Sequence, residues 1–172
     1  MNITEKIIIT DTNIITDLDN AGILEEFITI KNVYVSDLIK TDELNQKTGN
    51  LNTIKKAKVI SATEKQVLEA VNLSLINKKL SMYDLLNYVL ARDNDCILAT
   101  GDNRLKQYAE LNDVEVIRTL KIIKLMTTCS IISKEVAIIS CQKLKENPRT
   151  RIPINSIEQV ITSLTKDLTS IS

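Results

Sequence analysis

Short runs of consecutive apolar residues alternate along this chain with longer stretches in which apolar side chains recur every three or four positions. Ile7-Ile8-Ile9 is apolar on both faces, as expected of a strand at the centre of a parallel sheet covered by helices. The run stops at Asp11, and Ile14, Ile15, Leu18 and Ala21 then fall at helical spacing. Asp11 therefore stands where a buried strand hands over to a helix. Gly22 breaks that helix, and Ile23, Leu24, Phe27 and Ile28 predict a short second one before the strand Val33-Tyr34-Val35. Ser36 is a candidate N-cap for a helix from Asp37 to Gln46, whose early acids suit the helix dipole; Gly49 and its polar neighbours end it.

Lys58-Val59-Ile60 reads as a short third strand, and Thr63 opens a helix from Glu64 to Ile76 with apolar Val67, Leu68, Val71 and Leu75. After a break at Asn77-Lys78-Lys79, Ser81 starts a helix whose apolar face carries Leu85, Tyr88 and Val89. Cys96 to Ala99 is a buried strand ending in Thr100-Gly101-Asp102-Asn103; a helix from Arg104 to Asn112, a strand from Val114 to Ile117 and a helix through Leu120, Ile123 and Leu125 follow. Strands alternating with helices predict a parallel α/β sheet. From Ser130 onward only helices are predicted, Ser133 to Lys145 and Ser156 to Leu168. The chain thus divides into an α/β body at 1–127 and a C-terminal helical extension at 128–172, either packed on that body or used for interaction. Val136, Ile139 and Leu144 in one helix, and Ile157, Val160, Ile161 and Leu164 in the other, give each a face that must cover something.

Composition narrows the chemistry. Of 172 residues 44% are apolar but only 3% aromatic, so the core is aliphatic and the chain is not disordered. Lys plus Arg equals Asp plus Glu at 22 each, which leaves no global basic field; a nucleic-acid site would have to be a local patch. There is no histidine, and Cys96, Cys129 and Cys141 are widely spaced, which disfavours zinc sites and disulfide frameworks. Ser-His-Asp and Cys-His catalysis are removed as well. For an enzyme, carboxylates holding a hard metal become the leading option. The opening residues lack a signal-peptide layout and no apolar run approaches the ~18 residues of a membrane span, so a cytoplasmic chain with no membrane contact is expected.

Four acidic positions, Asp11, Asp42 or Glu43, Asp84 and Asp102, lie at strand ends or adjacent helix starts. In open α/β sheets ligands bind at the carboxyl edge of the strands, where Asp11 and Asp102 are expected, with Gly101 permitting a tight turn before Asp102. Each acid also has a structural reading. Asp11 or Thr12 can simply cap a helix, Ser81-x-x-Asp84 is a capping-box start, and Asp42 and Glu43 can belong to a solvated face.

The order of these pieces resembles the PIN-domain nucleases, particularly the VapC-type ribonuclease toxins of toxin–antitoxin systems. The matching text is Ile8-Ile9-Thr10-Asp11-Thr12-Asn13, then Val35-Ser36 with acids near 42, then Leu80-Ser81-Met82-Tyr83-Asp84, then Leu98-Ala99-Thr100-Gly101-Asp102, within a stretch from Ile7 to about Met126. The resemblance implies a three-layer α/β/α PIN-like fold with a short central parallel sheet, and hydrolysis of RNA phosphodiester bonds with Mg²⁺ or Mn²⁺. Asp11 and Asp102 are the implied ligands, with Asp84 completing the site directly or through water. The second acid departs from the family text: Glu43-Leu44 matches its wording, the offset from Ser36 favours Asp42, and Asp37 is a weaker third candidate. Asn13 or Asn103 would position water or phosphate, and Arg104, Thr12 and Thr100 would contact substrate. Other local cations are Lys55, Lys56 and Lys58, Lys78 and Lys79, Arg92, Lys106, Arg149 and Arg151. The implied partners are RNA, an antitoxin protein and a second copy of the chain, with the last helix offered as a homodimer or antitoxin surface. The alternative is a catalytically inactive PIN-like module for RNA binding or protein interaction. A phosphoaspartyl hydrolase fits less well, because Asp11-Thr12-Asn13 lacks D-x-D.

Overall fold

The computed structural model describes residues 6–38, 40–41 and 56–169. Five strands, β1 (Ile8–Thr10), β2 (Val33–Ser36), β3 (Lys58–Ile60), β4 (Ile97–Ala99) and β5 (Val116–Ile117), form one parallel sheet in the order β3-β2-β1-β4-β5. The helices are α1 (Thr12–Ala21), α2 (Leu24–Ile28), α3 (Glu64–Ile76), α4 (Met82–Asp93), α5 (Asn103–Leu111), α6 (Thr119–Thr128), α7 (Lys134–Glu146) and α8 (Ile154–Thr169). No described helix is long and apolar enough to cross a membrane.

Successive strand residues point to opposite faces, so a doubly apolar strand feeds two cores. Ile8, Ile97 and Ala99 belong to one cluster with residues of α1, α2, α6, α7 and α8; Ile9 and Leu98 belong to a second with residues of α3, α4 and α5. Helices on both faces of a parallel sheet are compatible with a three-layer α/β/α arrangement. The chain runs outward from β1 through β2 to β3, then crosses back to place β4 on the other side of β1. Strand order therefore reverses between β1 and β4, the position at which open α/β sheets bind ligands, at the carboxyl ends of the strands.

Three sequence expectations change. The predicted apolar face of α3 is largely in solvent, with Leu68 61% and Leu75 68% exposed, because α3 packs on α4 and turns Ala70, Val67 and Leu73 into the core they share. The last strand begins at Val116, since Asp113 adopts a left-handed φ of 58° and Val114 donates its N–H to Ala109 O at 3.0 Å, closing α5. In α7, Val136 and Ile139 are exposed; the buried row is Ala137, Ser140, Cys141 and Leu144, whose small members let the helix approach its neighbours closely. Ile157, Val160 and Leu164 of α8 join the same core, so both C-terminal helices pack on the α/β body.

Candidate active site

Extending the strand registers by one residue draws a polar row across the carboxyl edge. Ser36 is paired with Ile60; Asp11 follows Ile9 and Thr10, which align with Tyr34 and Ala99, so Ser36 and Thr100 flank it; Arg118 follows Ile117, the partner of Ala99. Two bonds fix the row: Asp11 N–H donates to Ala99 O at 3.0 Å, and Thr100 N–H to Ile117 O at 3.1 Å.

Asp11 ends β1 and caps α1, its Oδ1 accepting the Ile14 N–H at 2.8 Å. Its other oxygen, Oδ2, accepts the Thr100 hydroxyl and, at 3.5 Å, the Asn13 amide. The residue is 3% exposed. Burial disfavours the charged form and pushes its pKa up to about 7; the hydrogen bonds from Thr100, Ile14 and Asn13 oppose that rise, and the charge of Asp84 adds to it. Both capping and a chemical role are therefore open to one carboxylate, because they use different oxygens.

Asp102 repeats the arrangement at the end of β4. Its Oδ1 accepts the N–H groups of Arg104 at 2.7 Å and Leu105 at 2.9 Å, capping α5, while Oδ2 has no protein donor among the described residues. The Thr100 hydroxyl joins the two acids by donating to Asp11 and accepting the Asp102 N–H at 3.0 Å. Gly101 sits close to α1: a Cβ there would lie 3.0 Å from Asn13 Cβ, so a side chain would require Asn13 to give way by a few tenths of an ångström.

Asp84 is close enough for its charge to act on Asp11, yet its own carboxylate is engaged in the capping box. Oδ2 accepts the Ser81 N–H at 2.9 Å and the Ser81 hydroxyl at 2.8 Å, and Ser81 Oγ accepts the Asp84 N–H. Asp42 and Glu43 lie outside the described residues. Asp37 turns its Oδ1 to the Leu38 N–H at 2.8 Å. Thr12 is buried at the first position of α1, and Asn13 is half-buried. Asn103 is engaged with Arg118, which donates to its Oδ1, whereas Arg104 is exposed at the start of α5. The chain matches no family model and no curated protein.

Oxygen donors of the kind a hard cation takes are thus present at Asp11 and Asp102. Among the described residues no group of three or more acidic or sulfur side chains is close enough to hold a metal, so only part of a ligand set is gathered there. Ser36 Oγ, buried beside Asp11 and expected to cap the next helix, has no hydrogen-bond partner among the described residues. The carboxylate oxygens of Asp11 and Asp102 are donors of the type that Mg²⁺ or Mn²⁺ takes.

Sequence reading missed Asp17, Arg118 and Thr119. Asp17 Oδ2 accepts the Thr119 hydroxyl at 2.6 Å, and burial raises its pKa against the opposing effects of Thr119, Arg118 and Arg151. The available signal was spacing: Asp17 lies four residues after Asn13, on the same face of α1. Arg118 donates through Nη2 to Gly101 O at 2.9 Å, gripping the turn that carries Asp102. Nothing local in the sequence marks it, because its partners lie on the neighbouring strand's loop.

Proposed function

We propose that this chain is a PIN-like, metal-dependent endoribonuclease that hydrolyses RNA phosphodiester bonds and acts as the toxin of a toxin–antitoxin pair. The observation that carries the reading is the pairing of Asp11 and Asp102 at the point where strand order reverses, with the Thr100 hydroxyl between them. These two carboxylates would hold Mg²⁺ or Mn²⁺. Asp84 would join them directly through Oδ1, the oxygen its cap does not use, or through water, with Asp42 or Glu43 as the remaining acid. When bound, such a cation lowers the pKa of water for attack and stabilises charge on the phosphate. The protein's own part begins with the Asp11 proton. With a pKa of about 7, Asp11 exchanges between neutral and charged forms near neutral pH, so its capacity to bind a cation rises through that range. Arg104, exposed beside Asp102, would meet an incoming phosphate with a bidentate donor. An antitoxin would silence the chain by occupying the acidic edge.

One observation favours a second reading, an inactive PIN-like RNA-binding or protein-interaction module: among the described residues no group of three or more acidic or sulfur side chains is close enough to hold a metal. Incubating the chain with single-stranded RNA and Mg²⁺ or Mn²⁺, with a chelator control, separates the two. Cleavage that Asp11→Asn or Asp102→Asn lowers by at least about 100-fold, more than the loss of a supporting group costs, supports the nuclease. RNA binding without cleavage supports the module. Hydrolysis of phosphomonoesters in place of RNA would reassign the site to a phosphatase.

A further inference from the structure

Beside the acidic pair, the open edge of β5 borders a groove of about 440 Å³ walled by Lys106 and Glu110 of α5, Arg118 and Lys121 around the start of α6, and Ile152 and Pro153 ahead of α8. We propose that this groove is a track for the sugar–phosphate backbone of single-stranded RNA, leading to the Asp11–Asp102 pair; its link to cleavage rests on the ribonuclease reading above.

Charge is the first argument. The chain is neutral overall, yet three cations and one acid line this groove. Close ion pairs lie elsewhere, Lys6 with Glu115 at 3.0 Å, Lys56 with Glu25 at 2.5 Å, Arg92 with Glu69 at 2.6 Å and Lys145 with Glu158 at 2.7 Å. In the groove Lys106 meets Glu110 only at 3.7 Å, an exposed pair of little worth. Lys121 and Arg118 have no carboxylate salt bridge among the described residues. Arg118 donates its hydrogen bonds to neutral groups, the Gly101 carbonyl and Asn103, while its charge also acts on the buried Asp17 carboxylate.

Geometry is the second. The bond from Arg118 to Gly101 O sets the guanidinium one residue from Asp102, so the basic groove ends at the acidic pair. β5 is the last strand of the sheet. Leu98 N–H donates to Glu115 O and Thr100 N–H to Ile117 O, which leaves the N–H and C=O of Val116 turned away from β4, toward the groove. An extended ligand can place phosphates on the cations while base edges meet this free backbone and base faces rest on Leu120, Ile152 and Pro153. Phosphates repeating along one strand match cations strung along one edge. An acidic peptide is the competing occupant, but it has no use for two carboxylates at the groove's end.

The test is binding rather than activity. In an Asp11→Asn background with chelator, fluorescence anisotropy of a labelled single-stranded RNA is compared for Lys106→Gln with Lys121→Gln and for a charge-matched control, Lys65→Gln with Lys134→Gln on other helices. The groove double should weaken binding about tenfold and reduce the slope of log affinity against log salt by about 1.4, two phosphate contacts at ~0.7 each. The control should keep affinity and slope, and Arg118→Gln should weaken binding as well. Groove variants that bind like the control overturn the proposal, as does a polyglutamate peptide that displaces RNA more readily than unlabelled RNA does. If the wild-type chain cleaves RNA while groove variants bind normally, the track fails and the nuclease stands. If it never cleaves while the groove double loses binding, the nuclease reading fails and the track stands as an RNA site.

Discussion

The hydroxyl of Thr100 donates to the carboxylate of Asp11, 89 positions earlier in the chain, and accepts the backbone N–H of Asp102 at 3.0 Å. One small side chain thereby locks the ends of two adjacent strands and sets the spacing of both acids. Thr100→Val keeps the shape and removes both bonds. It should cost about 1–3 kcal/mol, since a buried carboxylate loses a donor. It should also raise the Asp11 pKa further, because that bond favours the charged form. Denaturant unfolding and a pH titration check both effects, and Thr100→Ser should restore them.

Asp11 makes folding depend on pH in a direction opposite to most carboxylates. Its pKa is 3.8 ordinarily and about 7 in the folded chain, so the folded state holds the proton more tightly. The associated stability is fully present below about pH 4, is lost as pH rises toward 7, and stays lost above it; the total is on the order of 4 kcal/mol. Asp11→Asn should abolish that slope and be more stable than wild type at pH 8. Denaturation midpoints across pH 5 to 8 decide this, and identical slopes in the two proteins would remove the buried-acid account. Added Mn²⁺ should raise the wild-type midpoint at pH 8 and leave the variant unchanged.

Ser81 holds one oxygen of the Asp84 carboxylate, and a cation at this edge would compete for it. Ser81→Ala removes the side-chain cap, at a cost of about 1 kcal/mol, and frees Asp84 from the hydroxyl bond while the backbone N–H at position 81 stays in place. Calorimetry should then find tighter Mn²⁺ binding than in wild type. Unchanged or weaker affinity would leave Asp84 as a cap alone.

The C-terminal helices are predicted to support the fold directly. Ile157 is fully buried in the core shared by α1, α7 and the sheet, so Ile157→Ala should destabilise by about 2–5 kcal/mol. Ile139→Ala, at a side chain 50% exposed in α7, should change stability by less than about 1 kcal/mol. Equal effects at the two positions in thermal unfolding would contradict this division between faces.

Local periodicity in the sequence gives away the α/β class, the helices that lie within the described residues and the handover points at Asp11 and Asp102: a doubly apolar run, then apolar residues at helical spacing. The helix expected from Asp37 to Gln46 lies largely outside the described residues. The capping box at Ser81 and Asp84 was equally legible, since its partners are three residues apart. Only the tertiary structure decided how the two strand ends are tied together. Asp11 and Asp102 are joined through Thr100 because β4 pairs with β1 from the side opposite β2, a pairing no local pattern encodes. The raised pKa of Asp11 follows from burial, and burial is a property of the packed whole. Helical spacing could show that α3 and α7 carry apolar residues, but not which of them face the neighbouring helices. Leu68 and Ile139 are left in solvent while Ala70 and Cys141 are covered, because close approach between layers selects small side chains at the contact. Gly101, Asp17 and Arg118 acquire meaning for the same reason: their neighbours are distant in sequence and adjacent only after folding.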